Sequence, residues 1–248
     1  MESSEIEYPF IIGHRGAAGY APENTLASLE LAYQLGVRFI EVDVMLTADN
    51  HAIIFHDHSL DRVTNGQGKV SKFKWNNLQQ LDTGSWFHPD YSDQRILHLK
   101  DLITFANDRP DLILNIELKP RLTNSVRTAT KTIRLLKREL QNPERLILSS
   151  FDALALKTAQ MLWPSCYRAL NIDTRYSGWL FLAKNLKCKA VHINQQQVTS
   201  AFINQCHRTN MAVRSYTVND PLRARQLMAM KIDGLFTDRP ADLFNHIF

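Results

Sequence analysis

Phe39-Ile40-Glu41-Val42-Asp43-Val44 is a β-branched apolar run, the signature of a buried strand, interrupted by two carboxylates at spacing two. Successive side chains on a strand point to opposite faces, so Glu41 and Asp43 project from the same face. Ionised side by side they repel, and burying them without a counter-charge is costly. A cation between them removes the conflict. An oxygen-only donor set suits a hard divalent ion such as Mg2+ or Ca2+ better than zinc. The competing reading is an edge strand whose acids face water, because apolar–polar alternation is common on half-exposed strands. The flanking sequence has to decide.

Immediately upstream, Phe10-Ile11-Ile12-Gly13 reads as a short strand that runs into His14-Arg15-Gly16. The following loop holds Gly16, Gly19 and Pro22, where backbone can approach a ligand closely. A helix then begins at Asn24 or Thr25 as N-cap, carries Leu26, Leu29 and Tyr33 on one face, and ends at Gly36. Downstream, Thr47-Ala48-Asp49-Asn50 is turn chemistry, and the return arm Ala52–Phe55 of a hairpin delivers His56-Asp57. From about residue 58 to 96 the periodicity fades into a polar insertion rich in Asn, Gly, Lys and Trp. Its Gly68-Lys69 pair lacks the upstream glycine and the following Ser or Thr of a phosphate-binding P-loop.

Beyond the insertion the pattern alternates. Helix 99–107, strand 112–117, helix 123–140, strand 146–149, helix 152–162, strand 167–170 and helix 176–185 are followed by strand 190–193, helix 199–209, strand 212–217, helix 221–230 and strand 234–237. Helix 123–140 sets Val126, Ala129, Ile133, Leu136 and Leu140 against a basic, solvated face. Nine strands less the hairpin's return arm leave eight, each but the last followed by a helix. That is the arithmetic of an α/β TIM (β/α)8 barrel, expected here as a single domain over residues 1–248. A doubly wound open sheet fits less well, since no strand is followed by the dinucleotide glycine fingerprint.

Composition narrows the function. The chain has 248 residues, 44% of them hydrophobic, enough for a sizeable core. A net charge of +4 without a dense Lys/Arg block gives no nucleic-acid footprint and tolerates an anionic substrate. Cys166, Cys188 and Cys206 are odd in number, show no CxxC spacing and fit buried, reduced thiols. The N-terminal stretch Met1–Tyr8 is acidic, and the apolar run Pro9–Ile12 is too short for a signal-peptide core or a membrane span. A cytoplasmic protein without stable membrane association is expected.

In a (β/α)8 barrel, chemistry gathers where strands end and loops begin. His14 and Arg15 follow the first strand, Glu41 and Asp43 lie near the end of the second, and His56 ends its return arm. Asn115-Ile116-Glu117-Leu118-Lys119 repeats the spacing-two pattern, adding a third carboxylate and a lysine. Solvated edge polarity does not account for several strands sharing this pattern. An anionic phosphodiester repels nucleophiles, so its catalyst must neutralise the non-bridging oxygens and move protons. A carboxylate-held cation with Arg15 and Lys119 serves the first need, and two histidines serve the second. His51, His88 and His246 read as surface or structural.

The motifs Gly13-His14-Arg15-Gly16, Pro22-Glu23-Asn24-Thr25, Glu41-Val42-Asp43-Val44 and Phe55-His56-Asp57-His58 occur in order. They are followed by Leu60-Asp61-Arg62-Val63-Thr64-Asn65-Gly66, Glu117-Leu118-Lys119 and Thr237-Asp238-Arg239-Pro240. In order and near-spacing this resembles the glycerophosphodiester phosphodiesterase family, in its short single-domain form. The resemblance implies a TIM barrel that hydrolyses small-molecule glycerophosphodiesters to sn-glycerol 3-phosphate and an alcohol. It implies that His14 and His56 are the acid/base pair. Glu41, Asp43 and Glu117 would hold one divalent cation, Mg2+ favoured with Ca2+ or Mn2+ as alternatives. Arg15 and Lys119 would bind phosphate. A glycerol hydroxyl as first nucleophile, giving a cyclic phosphate that water opens, is compatible with it. Two departures stand out. Ile96-Leu97-His98-Leu99-Lys100-Asp101 replaces an Ile-Pro-Thr-Leu-Glu-Glu-like segment, and Tyr216-Thr217-Val218-Asn219 replaces Trp-Thr-Val-Asn, making Tyr216 a substrate-facing wall that now carries a hydroxyl. The alternatives are a lysophospholipase D-type enzyme, which would need an apolar rim, and a catalytically silent barrel that binds glycerophosphate.

Overall fold

The computed structural model describes residues 10–121 and 123–247; the acidic N-terminal stretch and Pro9 lie outside the described residues. Eight parallel strands close into a barrel. They are β1 (Ile11–His14), β2 (Phe39–Leu46), β5 (Ile113–Leu118), β6 (Leu146–Ser150), β7 (Tyr167–Ile172), β8 (Ala190–Asn194), β9 (Ala212–Tyr216) and β10 (Gly234–Thr237). Each pairs with the next, β10 pairs with β1, and β1 pairs with β2 to complete the ring. Of the other two described strands, β3 (Ala52–Ile54) adds antiparallel to the outer end of β2, and β4 (Leu97–His98) adds antiparallel to β3. The helices are α1 (Leu26–Gln34), α2 (Trp75–Leu78), α3 (Leu99–Asn107), α4 (Ser125–Glu139), α5 (Ala153–Leu162), α6 (Trp179–Asn185), α7 (Ser200–His207), α8 (Pro221–Ala229) and α9 (Pro240–Ile247). No described helix is long and apolar enough to cross a membrane.

Strand parity explains how one sheet makes both a core and a site. Residues of one parity face the helices: Ile40, Val42 and Val44 of β2 and Leu114, Ile116 and Leu118 of β5 join the packed layer with Leu29, Ala129, Ile133 and Leu136. Residues of the other parity face the barrel axis. Their first layer is apolar, with Ile12, Phe39, Ile113, Ile147, Ala169, Ala190 and Phe236 closing the floor. One step along six of these strands the inward residue turns polar: His14, Glu41, Asn115, Ser149, Asn171 and His192. Sealing the floor with hydrocarbon keeps bulk water from the acids above it. The acidic pair therefore belongs to a barrel interior, not to an edge.

Some helix faces are rotated from the expected phase. Leu26 is 38% exposed and Val126 is 50% exposed, while Ser28 of α1 and Ser125, Thr128 and Thr132 of α4 are buried. Small polar side chains let a helix approach the sheet closely, and Thr128 and Thr132 take positions that a hydropathy reading gives to the surface. Thr25 is the N-cap of α1, accepting from the Ser28 N–H. α6 starts three residues later than expected because Gly178 before it adopts a left-handed φ of 89°.

The segment between β3 and β4 is more apolar inside than its composition suggests. Phe55, Leu60, Val63, Val70, Leu78 and Ile96 are buried together with Met45 and Ile53. It returns through Leu97, whose position pairs with Ile54, where a proline would deny the ladder an N–H. His98 then caps α3: its Nδ1 accepts from the Lys100 N–H at 3.1 Å, and the Asp101 carboxylate accepts from the His98 N–H at 3.0 Å. The three cysteines are free and buried, and burial pushes each thiol up to about 12.

Candidate active site

At the C-terminal end of the barrel, above the apolar floor, lies a cavity of about 130 Å³. Among its lining residues are His14, Arg15, Glu41, Asp43, His56, Glu117, Lys119 and Tyr216. All eight residues singled out in the sequence therefore meet at one place. The register does this: His14 is the β-partner of Glu41, and Asp43 is the partner of Glu117. One oxygen from each of Glu41, Asp43 and Glu117 lies within 4.8 Å of the others, and all three residues are buried.

Each carboxylate is held by specific donors. Glu41 accepts from the Arg15 backbone N–H at 3.1 Å, made possible by a left-handed φ of 53° at Arg15. Asp43 accepts from the Asn24 amide at 3.0 Å and lies 3.3 Å from Arg15 Nε. Glu117 accepts from the Asn171 amide at 3.0 Å. Lys119 Nζ sits 3.4 Å from Glu117 and 3.5 Å from Asp43.

Three acids against two cations leave the cluster short of positive charge. Burial pushes the Glu41 carboxyl well above the usual range, reinforced by Asp43 and Glu117. Burial and Asp43 raise Glu117 to about 7, with Lys119 opposing. Burial also works against an ionised Asp43, but Arg15 and Lys119 outweigh it and hold that carboxyl far down. A buried, all-oxygen triad with two acids driven toward protonation fits a hard divalent cation, whose charge would let all three ionise. These three residues could hold such an ion.

The two histidines are tethered in the same way. His14 Nδ1 lies 2.7 Å from Asp238, and His56 Nδ1 lies 2.6 Å from Asp57; Nε2 of each ring makes no hydrogen bond among the described residues, though that of His14 lies 4.0 Å from Glu41. Asp57 binds Arg62 at 2.7 Å and Arg62 binds Glu23 at 2.7 and 2.8 Å. Glu23 in turn binds Arg15 at 2.8 Å, so His56 and Arg15 are joined by one ion-pair chain. Burial pushes His56 below its usual value, with Arg15 and Lys119 adding to the shift and Asp43 and Asp57 opposing it. Burial would raise Asp57, but Arg62 and His56 bring it down to about 2.

With this arrangement in view, likeness to known proteins acquires a residue-level meaning. Residues 14–242 match the Glycerophosphoryl diester phosphodiesterase family. The chain belongs to this family. It is 30% identical to a glycerophosphodiester phosphodiesterase of Caldanaerobacter subterraneus, over 95% of this chain and 96% of that one. It is similar in structure to an Oleispira antarctica phosphodiesterase solved with the product sn-glycerol-3-phosphate: TM-score 0.92, 36% identity and 96% of each chain covered. A glycerophosphodiester phosphodiesterase of Agrobacterium tumefaciens superposes with a TM-score of 0.78 at 25% identity, over 95% of this chain and 99% of that one.

Within the family's barrel this chain uses Tyr216 in a way its sequence did not suggest. The phenol donates to the Ile172 carbonyl at 2.8 Å and the ring meets Phe151 edge-on at 5.9 Å. The hydroxyl is thus spent on backbone, and the ring alone forms the wall. The supporting residues Asn24, Asp57, Asn171 and Asp238 escaped assignment. Three of them stand inside quoted motifs, so a motif position without a role was their signal. Asn171 had none, because the strand expected at 167–170 stops one residue short of it, whereas the observed strand runs to Ile172.

Proposed function

We propose that this phosphodiesterase hydrolyses glycerophosphodiesters to sn-glycerol 3-phosphate and an alcohol. In this reading His14 and His56 transfer protons, and one divalent cation, Mg2+ by preference, is held by Glu41, Asp43 and Glu117. The whole chain serves as one catalytic domain, with the segment around residues 58–96 as an insertion on it. The observation that carries this reading is the convergence of two carboxylate-tethered imidazoles and a buried acid triad on one small cavity. The product seen in the Oleispira antarctica relative supports the substrate class.

When bound, the cation would supply positive charge to the non-bridging phosphate oxygens. Arg15 and Lys119 contribute further charge, each already oriented by the carboxylates it touches. His56, whose imidazole burial pushes toward the neutral form, takes the proton of the attacking hydroxyl at Nε2; His14, kept upright by Asp238, delivers one to the leaving alkoxide. A glycerol hydroxyl as attacker forms a cyclic phosphate and expels the alcohol. Water then opens the ring with the two imidazoles exchanging roles. Tyr216 and Phe151 wall the cavity mouth.

The test is glycerol 3-phosphate release from glycerophosphodiesters, with lysophosphatidylcholine and choline detection run alongside. Turnover abolished by EDTA and restored by Mg2+, and lowered about 10²–10⁴-fold by His56→Ala, is expected. Turnover indifferent to EDTA overturns the cation, and a His56→Ala enzyme at wild-type rate overturns the base.

A further inference from the structure

Outside the active-site cavity, several depressions of unlike charge border the mouth of the barrel. On one side His14, Arg15 and Arg239 share a groove with Glu23 and Asp238. On the other, Lys119 and His58 border a narrow neck with Arg121 and Ser71. That neck adjoins an open groove of about 510 Å³ lined by His58, Lys69, Arg121, Thr123 and Asn124. Among the described residues, no carboxylate lines either the neck or this groove.

Lys69 and Arg121 are exposed, and among the described residues neither forms an ion pair within 4.0 Å. Arg121 is instead steered by a hydrogen bond to the Ser71 hydroxyl. Lys119, by contrast, has its charge absorbed by Asp43 and Glu117. Burial, then Lys119 and Arg121, depress the His58 imidazole, with Asp57 opposing. An unneutralised cationic groove next to a catalytic cavity concentrates anions. The barrel floor closes the cavity below, so the part of a diester that does not fit inside must leave through the mouth.

We propose that this groove is a subsite for a second anionic group, a phosphomonoester or carboxylate, carried on the leaving alcohol of the diester. The inference rests on the phosphodiesterase reading and deepens it: the preferred substrates are glycerophosphodiesters whose alcohol is itself negatively charged. Arg121 offers paired N–H donors to such a group and Lys69 a mobile ammonium.

The experiment compares glycerophosphoglycerol with the same molecule bearing a terminal phosphomonoester, on wild type and on Lys69→Ala, Arg121→Ala and the double variant. The double variant is expected to raise KM for the phosphorylated substrate about tenfold or more, with kcat and the glycerophosphoglycerol constants unchanged within about twofold. Arg121→Lys should retain part of the preference, and 0.5 M salt should erase it in wild type alone. Equal KM shifts on both substrates, or none, overturn the subsite. Failure of wild type to cleave either diester would instead overturn the phosphodiesterase reading beneath it. Normal glycerophosphoglycerol turnover by each variant shows that it folds.

Discussion

Replacing Asp57 by Asn probes whether His56 depends on its tether. The native contact is a 2.6 Å charge-assisted bond, with the His56 side chain 30% and the Asp57 side chain 24% exposed. Such bonds contribute about 1.5–3 kcal/mol. If the imidazole is held for the transition state only by this contact, that becomes roughly a 10- to 100-fold loss in kcat. The carboxylate selects the tautomer with the proton on Nδ1, leaving Nε2 to accept; an amide can present its NH2 instead and favour the wrong one. Removing the negative charge also takes away one of the influences that raise the His56 pKa, so its pKa should fall further. For a base, the acid limb of the kcat/KM profile then moves to lower pH. The fold should survive, because Arg62 keeps its two bonds to Glu23. The assay is a pH–rate profile at saturating Mg2+, with thermal melting as control. An Asp57→Asn enzyme with unchanged kcat and an unmoved acid limb would show that His56 is not oriented through Asp57.

Three further outcomes are expected. Glu41, driven toward its neutral form in the cation-free protein, should be replaceable by Gln with little change in melting temperature. The same variant should lose the upward shift that Mg2+ at about 100 Kd gives wild type, roughly 5–10 °C from about 2.7 kcal/mol of linkage; a retained shift removes Glu41 from the ion site. His192 is buried and pushed well below its usual value by desolvation and Arg214, so the unfolded chain binds a proton that the folded chain refuses. Its contribution is complete above about pH 6.5 and is lost below it at up to about 1.4 kcal/mol per pH unit, and His192→Gln should flatten that slope in denaturant titrations at pH 5 to 7. Gly16→Ala would drive a Cβ into Ser28 Oγ at a φ of 89°, so stability should fall by about 1–3 kcal/mol and activity should fall with it, because Arg15 is displaced. Wild-type activity in that variant would show that the loop relaxes around the methyl group.

Much of the barrel was legible because its signals are local. Apolar runs of four to six residues separated by helical periods count βα units directly, and the inward–outward alternation of Phe39, Glu41 and Asp43 is written into one strand. Position by position, seven of the eight candidate side chains could be named from strand ends, and Tyr216 came from the likeness to the family's Trp-Thr-Val-Asn segment. What stayed hidden needed partners far along the chain. Asp238 reaches His14 across 224 residues, Asn171 reaches Glu117 across 54, and the Glu23–Arg62 pair that joins Arg15 to His56 spans 39. No periodicity encodes such pairs. The apolar cluster under the 55–96 segment was missed for a related reason, since its members are dispersed among polar residues and meet only on folding.

The sequence by itself determined the fold class and the kind of chemistry, because strand periodicity, acid spacing and turn residues act over a few neighbouring positions. Only the tertiary structure decided the charge state of that chemistry. Burial depth and barrel register set which carboxyls are raised, which are held down and which imidazole nitrogen is untethered. Those depend on desolvation and on Coulomb contacts a few ångströms long between strands distant in the chain, and such distances exist only once the barrel has closed.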